Sequence, residues 1–97
     1  MTTLNRYMEE NRSQLELFTT AITWAHGKNH PEAFEVRELY TTIDDKVKAS
    51  SSDKPELTKE FEQLREVTNN YTIPEDVCKT YAATYNMLAE ADKAYQN

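Results

Sequence analysis

Three residue types that shape loops and cross-links are scarce in this sequence. Of its 97 residues one is glycine, three are proline and one, Cys78, is cysteine. A lone cysteine excludes an intramolecular disulfide and favours a reducing, cytoplasmic setting. Folds rich in β-turns need more glycine and proline than this. The scarcity predicts helices joined by a few short connections.

Long apolar segments and basic runs are missing as well. No stretch approaches the roughly 20 apolar residues that a membrane span requires. The first residues include Glu9 and Glu10 and lack the basic and then apolar order of a secretory signal. We therefore expect a cytoplasmic protein without a membrane partner. The net charge of −6 argues against direct binding to nucleic acid.

Patterns that support catalysis or metal binding are also scarce. His26 and His30 stand four residues apart, a spacing compatible with zinc, but Gly27 and Pro31 place them on either side of a predicted turn. No Glu-x-x-His pair of the kind found in di-iron bundles occurs. Cys78 is expected to pack in the core as a small apolar group. We predict no catalytic residue, no metal and no cofactor.

Each proline, in contrast, stands in a pattern typical of a helix start. A glutamate follows it, and a residue able to cap a helix precedes it by two positions. Proline in the first turn sacrifices no helical hydrogen bond, and the cap accepts one from a free amide. The predicted helix starts are Pro31, Pro55 and Pro74, with Asn29, Asp53 and Thr72 as their caps.

Apolar residues recur at alternating steps of three and four along four segments, which is the spacing of one face of a helix. The predicted helices cover residues 4–26, 31–49, 54–69 and 73–95. Gly27 is expected to end the first helix in the left-handed conformation, and Asn69 with Asn70 to end the third. The residues expected to face the core are Leu4, Met8, Leu15, Phe18, Ile22, Ala25, Ala33, Val36, Leu39, Tyr40, Ile43, Val47, Leu57, Phe61, Leu64, Val77, Cys78, Tyr81, Tyr85, Leu88 and Ala91.

Short connections between four helices favour antiparallel neighbours. The predicted fold is therefore a small all-α, antiparallel four-helix bundle formed by one domain, residues 1–97. The alternative is that the third and fourth helices form one long helix with a kink near Thr72. The stretch Ser50, Ser51 and Ser52 is expected to be a short connection between the second and third helices.

Negative charge is concentrated in the second and third predicted helices. Residues 29–70 carry six basic and ten acidic side chains, a net charge of −4. Residues 1–28 carry three of each, and residues 71–97 carry two basic and four acidic. Most such charges form a solvated face, for example in ion pairs such as Asp44 with Lys48. A localised excess favours a surface that meets a cationic partner. The acidic residues assigned to that surface are Glu35, Glu38, Asp45, Glu62 and Glu66.

A second candidate surface lies on the first helix. Leu17, Ala21 and Trp24 recur at steps of four and three beside the main apolar stripe. Trp24 either covers the edge of the bundle or anchors an interface with a partner or a second copy.

Small size, acidity and the lack of catalytic patterns favour a non-enzymatic module that binds a larger protein. We expect an acidic inhibitor or adaptor of the phage or mobile-element type. It would meet a basic surface of host nucleic-acid machinery, where its carboxylates imitate the phosphates of DNA. One alternative is a small enzyme with a site between subunits, in which Arg6, Arg12 or Arg37 binds an anionic metabolite. The other is a structural homodimer.

Overall fold

The computed structural model describes residues 3–50 and 54–96, and four helices account for most of them. Helix α1 spans Thr3–His26, α2 spans Glu32–Ala49, α3 spans Thr58–Val67 and α4 spans Lys79–Gln96. None of the described residues lies in a β-strand. Over the same residues, no helix combines the length and the apolar character needed to cross a membrane. The predicted all-α class is confirmed.

Neighbouring helices run antiparallel around the bundle. Helix α2 returns along α1 after a turn of residues 27–31. The end of α1 meets the start of α4, where the Cys78 amide donates to Nε2 of His26 at 3.4 Å. Helix α3 packs against α2 and reaches α4 through Phe61, whose ring stacks on that of Tyr95 at 5.1 Å between centroids. The structure is thus the predicted four-helix bundle.

The core contains most of the residues that the periodicity assigned to it. Tyr81 and Tyr85 are fully buried in it, with hydroxyl oxygens 3.0 Å apart. Burial raises the pKa of both phenols, so they stay neutral and share a hydrogen bond. The buried apolar residues are Leu4, Met8, Leu15, Ile22, Ala33, Val36, Leu39, Tyr40, Ile43, Val47, Leu57, Phe61, Leu64, Tyr81, Tyr85, Leu88, Ala91 and Tyr95.

Two of the three predicted helix starts are wrong. Helix α3 begins at Thr58, after Pro55, because residues 54–57 stay outside the helix while Pro55 and Leu57 are buried. Burial of an apolar side chain is worth more than an additional turn of exposed helix. Helix α4 begins at Lys79, well after Pro74. There the chain is held outside the helix by contacts of residues 76 and 78 with the α1–α2 turn.

The predicted caps are also absent where they can be assessed. Helix α2 begins next to Pro31, as predicted, but without a side-chain cap. The backbone N–H of Asn29 donates to the carbonyl of His26. The Thr72 hydroxyl donates to the carbonyl of Asn69. The predicted cap Asp53 lies outside the described residues, as do Ser51 and Ser52 of the serine stretch.

A sharp turn separates α3 from α4, which rules out the single kinked helix. Asn69, Asn70 and Tyr71 have φ angles of 52°, 60° and 61°, all in the left-handed region. Asparagine tolerates this region better than most residues, whereas a tyrosine there is strained. The prediction that Asn69 and Asn70 end the third helix is confirmed.

Three other predictions need correction. Gly27 follows α1 but has no positive φ. It is needed because a Cβ there would lie 2.4 Å from the carbonyl oxygen of Thr23 and 2.6 Å from the Phe34 ring. Ala25, in the last turn of α1, is exposed. Cys78 is exposed too, because it precedes α4 and the helical periodicity does not extend to it.

Candidate acidic groove

A groove between α2 and α3 gathers three of the five predicted acidic residues. Its main part has a volume of about 610 Å³, with Glu35 and Glu38 lining the α2 side and Glu60 the α3 side. A hollow of about 350 Å³ continues from Glu35 to Glu66. No lysine or arginine is among the described residues that line these two spaces. We call them together the acidic groove, defined by Glu35, Glu38, Glu60 and Glu66.

Helical spacing on α2 explains why two of these carboxylates adjoin. Glu35 and Glu38 are three residues apart and therefore lie on one side of the helix. The buried side chain of Leu39 lines the same groove and contributes to the core. Because α2 packs against α3 along this side, the two glutamates stand at the junction of the helices while their carboxylates stay exposed.

Three of the four groove carboxylates lack a basic counterpart. The Lys46 ammonium is paired with Glu60. Burial alone would raise the pKa of Glu60, but the hydrogen bond from Lys46, a backbone hydrogen bond and the charge of Lys46 together outweigh burial, so the pKa is lowered. Glu35, Glu38 and Glu66 form no ion pair with any residue that the structure describes. The groove is therefore electronegative.

An aromatic side chain that the sequence reasoning missed stands beside these carboxylates. Phe34 is 56 % exposed and lines the groove together with Pro31. Its ring lies against Gly27, which has no side chain to displace it. The sequence did contain a signal for Phe34, because it stands two positions before the core residue Val36 and so falls on a different side of the helix.

No protein-family model matches the chain, and no solved structure matches it.

The remaining two acidic residues lie outside the acidic groove. Glu62 lines a different space of about 620 Å³, whose lining, unlike that of the acidic groove, includes two lysines, Lys46 and Lys59. Asp45 is exposed on α2 but does not line the groove. Its neighbour Asp44, assigned from sequence to a solvated pair, is buried.

Asp44 belongs to the packing of α1 against α2. Its Oδ1 accepts a 2.7 Å hydrogen bond from Nε of Arg12, and Lys48 lies 3.4 Å from its Oδ2. The pairing with Lys48 is therefore confirmed, but it is not a solvated one. Buried carboxylates are tolerated when they are paired in this way. This carboxylate fastens two helices and is not available to a partner.

Trp24 does not cover the bundle. Its side chain is 86 % exposed and Leu17 is 65 % exposed, both on the side of α1 that faces away from the core. Neither residue lines the acidic groove. The two candidate surfaces are thus separate.

The two histidines do approach each other, with ring centroids 6.4 Å apart. His30 lies 3.1 Å from Glu32 and 2.8 Å from Asp76, and the hydrogen bond with Asp76 raises its pKa. These contacts fasten the α1–α2 turn to the segment before α4. Among the described residues, no group of three or more histidine, cysteine, aspartate or glutamate side chains is placed to hold a metal ion.

Two of the three arginines considered for an anionic substrate, Arg12 and Arg37, are engaged in contacts between α1 and α2. Arg37 donates to Glu16 at 3.0 Å and to Thr19 at 3.1 Å, and Arg12 is bonded to Asp44. Binding of an anion to either guanidinium would therefore compete with these contacts. Arg6 is exposed and lines a hollow of about 290 Å³ that also contains two glutamates.

Proposed function

We propose that this protein is a non-enzymatic module that binds a cationic surface of a larger protein, as an inhibitor or adaptor. The observation that carries the proposal is the acidic groove. Glu35, Glu38 and Glu66 converge there without a basic residue in the lining, beside the exposed ring of Phe34. Carboxylates and an aromatic anchor suit a segment that carries lysine or arginine together with an apolar side chain.

The position of these charges in a groove strengthens the argument. Walls of low dielectric constant focus the field of like charges into the space between them. A cationic segment is then steered toward the groove, and its association rate rises at low ionic strength. Exposed charges contribute little to stability, so the fold does not require this arrangement.

The partner class follows from the same chemistry. A surface built to hold nucleic-acid phosphates presents lysine and arginine at close spacing. The carboxylates of the acidic groove could bind to such a surface in place of the phosphates. The proposal is therefore that the partner belongs to host nucleic-acid machinery and that the protein acts in the manner of a phage-type inhibitor. Charge and shape support this class of partner.

Affinity capture from a host lysate tests the proposal when it includes a matched pair of variants. The groove variant carries Glu35→Lys, Glu38→Lys and Glu66→Lys. The control carries Glu9→Lys, Asp45→Lys and Glu62→Lys, which changes the net charge by the same amount at exposed positions outside the groove. We expect the wild type and the control to retain one stoichiometric basic protein that the groove variant loses. Equal loss in both variants, or retention by the groove variant, would contradict the proposal.

A further inference from the structure

Helix α1 carries an unpartnered seam on the side that faces away from the core. Its members alternate at steps of four and three, the spacing typical of a helix that packs lengthwise against another helix. Leu17 and Trp24, at its centre, are 65 % and 86 % exposed. The α1 seam consists of Glu10, Gln14, Leu17, Ala21 and Trp24 on the helix, and of Lys28 in the turn that directly follows it.

The order of residues in this seam is self-complementary. Its steps are four, three, four, three and four, so they read the same in both directions. Two copies in antiparallel orientation would therefore align layer by layer. Leu17 of each copy would face the small Ala21 of the other, and Trp24 would face the aliphatic part of Gln14. A two-fold interface needs this matching of a surface with itself.

The charges along α1 also favour a second copy of the chain in antiparallel orientation. Residues 1–28 have no net charge, so two molecules of charge −6 meet with least repulsion along α1. Glu10 and Lys28 stand at opposite ends of the seam. Antiparallel pairing brings each carboxylate to an ammonium group, whereas parallel pairing would bring like charges together. Neither residue forms an ion pair with any other described residue.

We propose that the α1 seam binds a second copy of this chain in antiparallel orientation. Trp24 and Leu17 together offer roughly 300 Å² of apolar surface per copy, less than the roughly 800 Å² that each side of a standard interface buries. The dimer is therefore reversible and depends on concentration. The acidic groove, between α2 and α3, is not part of the contact, so the dimer and the proposed partner binding can be tested independently.

Sedimentation equilibrium combined with tryptophan fluorescence over a concentration series tests the dimer. Trp24 is the only tryptophan, so its emission reports on the seam alone. We expect the mass to rise from 11.3 kDa toward twice that value while the emission shifts to shorter wavelength. Trp24→Ala should weaken association at least about tenfold. Phe34→Ala, which removes an exposed ring outside the seam, should leave it unchanged.

A charge exchange tests the orientation. Lys28→Glu and Glu10→Lys should each weaken association several-fold, and the double variant, which restores both pairs, should regain the wild-type affinity. A monomer with constant emission at every concentration would overturn the proposal. So would a double variant as weak as the single ones. A blue shift that appears only with anionic phospholipid vesicles, without a dimer in solution, would identify a lipid surface as the occupant and would also overturn it.

Discussion

The hydroxyl of Tyr71 donates a 2.8 Å hydrogen bond to Oδ2 of Asp92, a carboxylate that also receives two 2.8 Å hydrogen bonds from Nη1 of Arg65. Asp92 is only 5 % exposed. Burial, helped by this hydrogen bond, raises the pKa of Tyr71 and keeps the phenol a neutral donor. The network joins α3, the turn after it and α4, and so holds Tyr71 in its left-handed conformation.

Removing the acceptor of this network should weaken the bundle. Asp92→Asn takes away the negative charge that the Arg65 guanidinium faces, and we expect the free energy of unfolding to fall by about 1–3 kcal/mol. Urea denaturation measures the change. The control Asp45→Asn alters an exposed carboxylate and should stay within about 0.5 kcal/mol of the wild type. Equal effects of the two substitutions would show that the network does not stabilise the fold.

Substitutions of Gly27 distinguish two explanations for a glycine at this position: a left-handed helix cap, and a close contact that leaves no room for a Cβ. Gly27→Ala places a methyl group 2.4 Å from the carbonyl oxygen of Thr23, so we expect a loss of about 1–3 kcal/mol. Gly27→Asn should be at least as destabilising, because it adds a larger group to the same close contact. If thermal denaturation showed asparagine to be clearly better tolerated than alanine, the left-handed cap would be the correct explanation after all.

Two leucines on α1 offer a matched comparison of core and surface. Leu15 is fully buried and Leu17 is largely exposed. Leu15→Ala should lower the free energy of unfolding by about 2–5 kcal/mol, because it leaves a cavity among packed side chains. Leu17→Ala, measured by the same denaturation curve at concentrations where the chain is monomeric, should cost less than about 0.5 kcal/mol. A reversed order would mean that α1 is rotated about its axis.

The contact between His30 and Asp76 should make stability depend on pH. Hydrogen bonds with Asp76 and Glu32 raise the pKa of His30, so the charged imidazole is favoured in the folded state. Its contribution is complete below the unfolded pKa of about 6.5 and is lost as the pH rises through the folded pKa. The melting temperature difference between wild type and His30→Gln should therefore be larger at about pH 5.5 than at about pH 9. A constant difference would show that the charged pair is not formed.

The helices were predictable from sequence where their apolar pattern is long. The apolar stripe that begins at Leu4, together with Gly27 after the last turn, predicted both ends of α1 to within a residue. The starts of α3 and α4 depended on contacts far apart in sequence. Burial of Leu57 and the bond between His30 and Asp76, 46 residues apart, override the local preference at Pro55 and Pro74.

The acidic groove was predictable in part for a similar reason. Glu35 and Glu38 follow from helical spacing on one element. The position of Glu66 inside the groove and of Glu62 outside it depends on how α3 is rotated against α2, which no local pattern specifies. Phe34 was missed because only its departure from the core stripe distinguished it.

The most direct test of the acidic groove is a map of backbone amide shifts in isotope-labelled protein during titration with a lysine-rich peptide. Because the field is focused between α2 and α3, we expect the largest shifts at Glu35, Glu38 and Glu66, and these shifts should diminish above about 0.15 M salt, where the screening length is about 8 Å. Shifts of equal size at the exposed Asp45 and Glu62 would contradict the account, since the groove would then attract cations no better than any other exposed carboxylate.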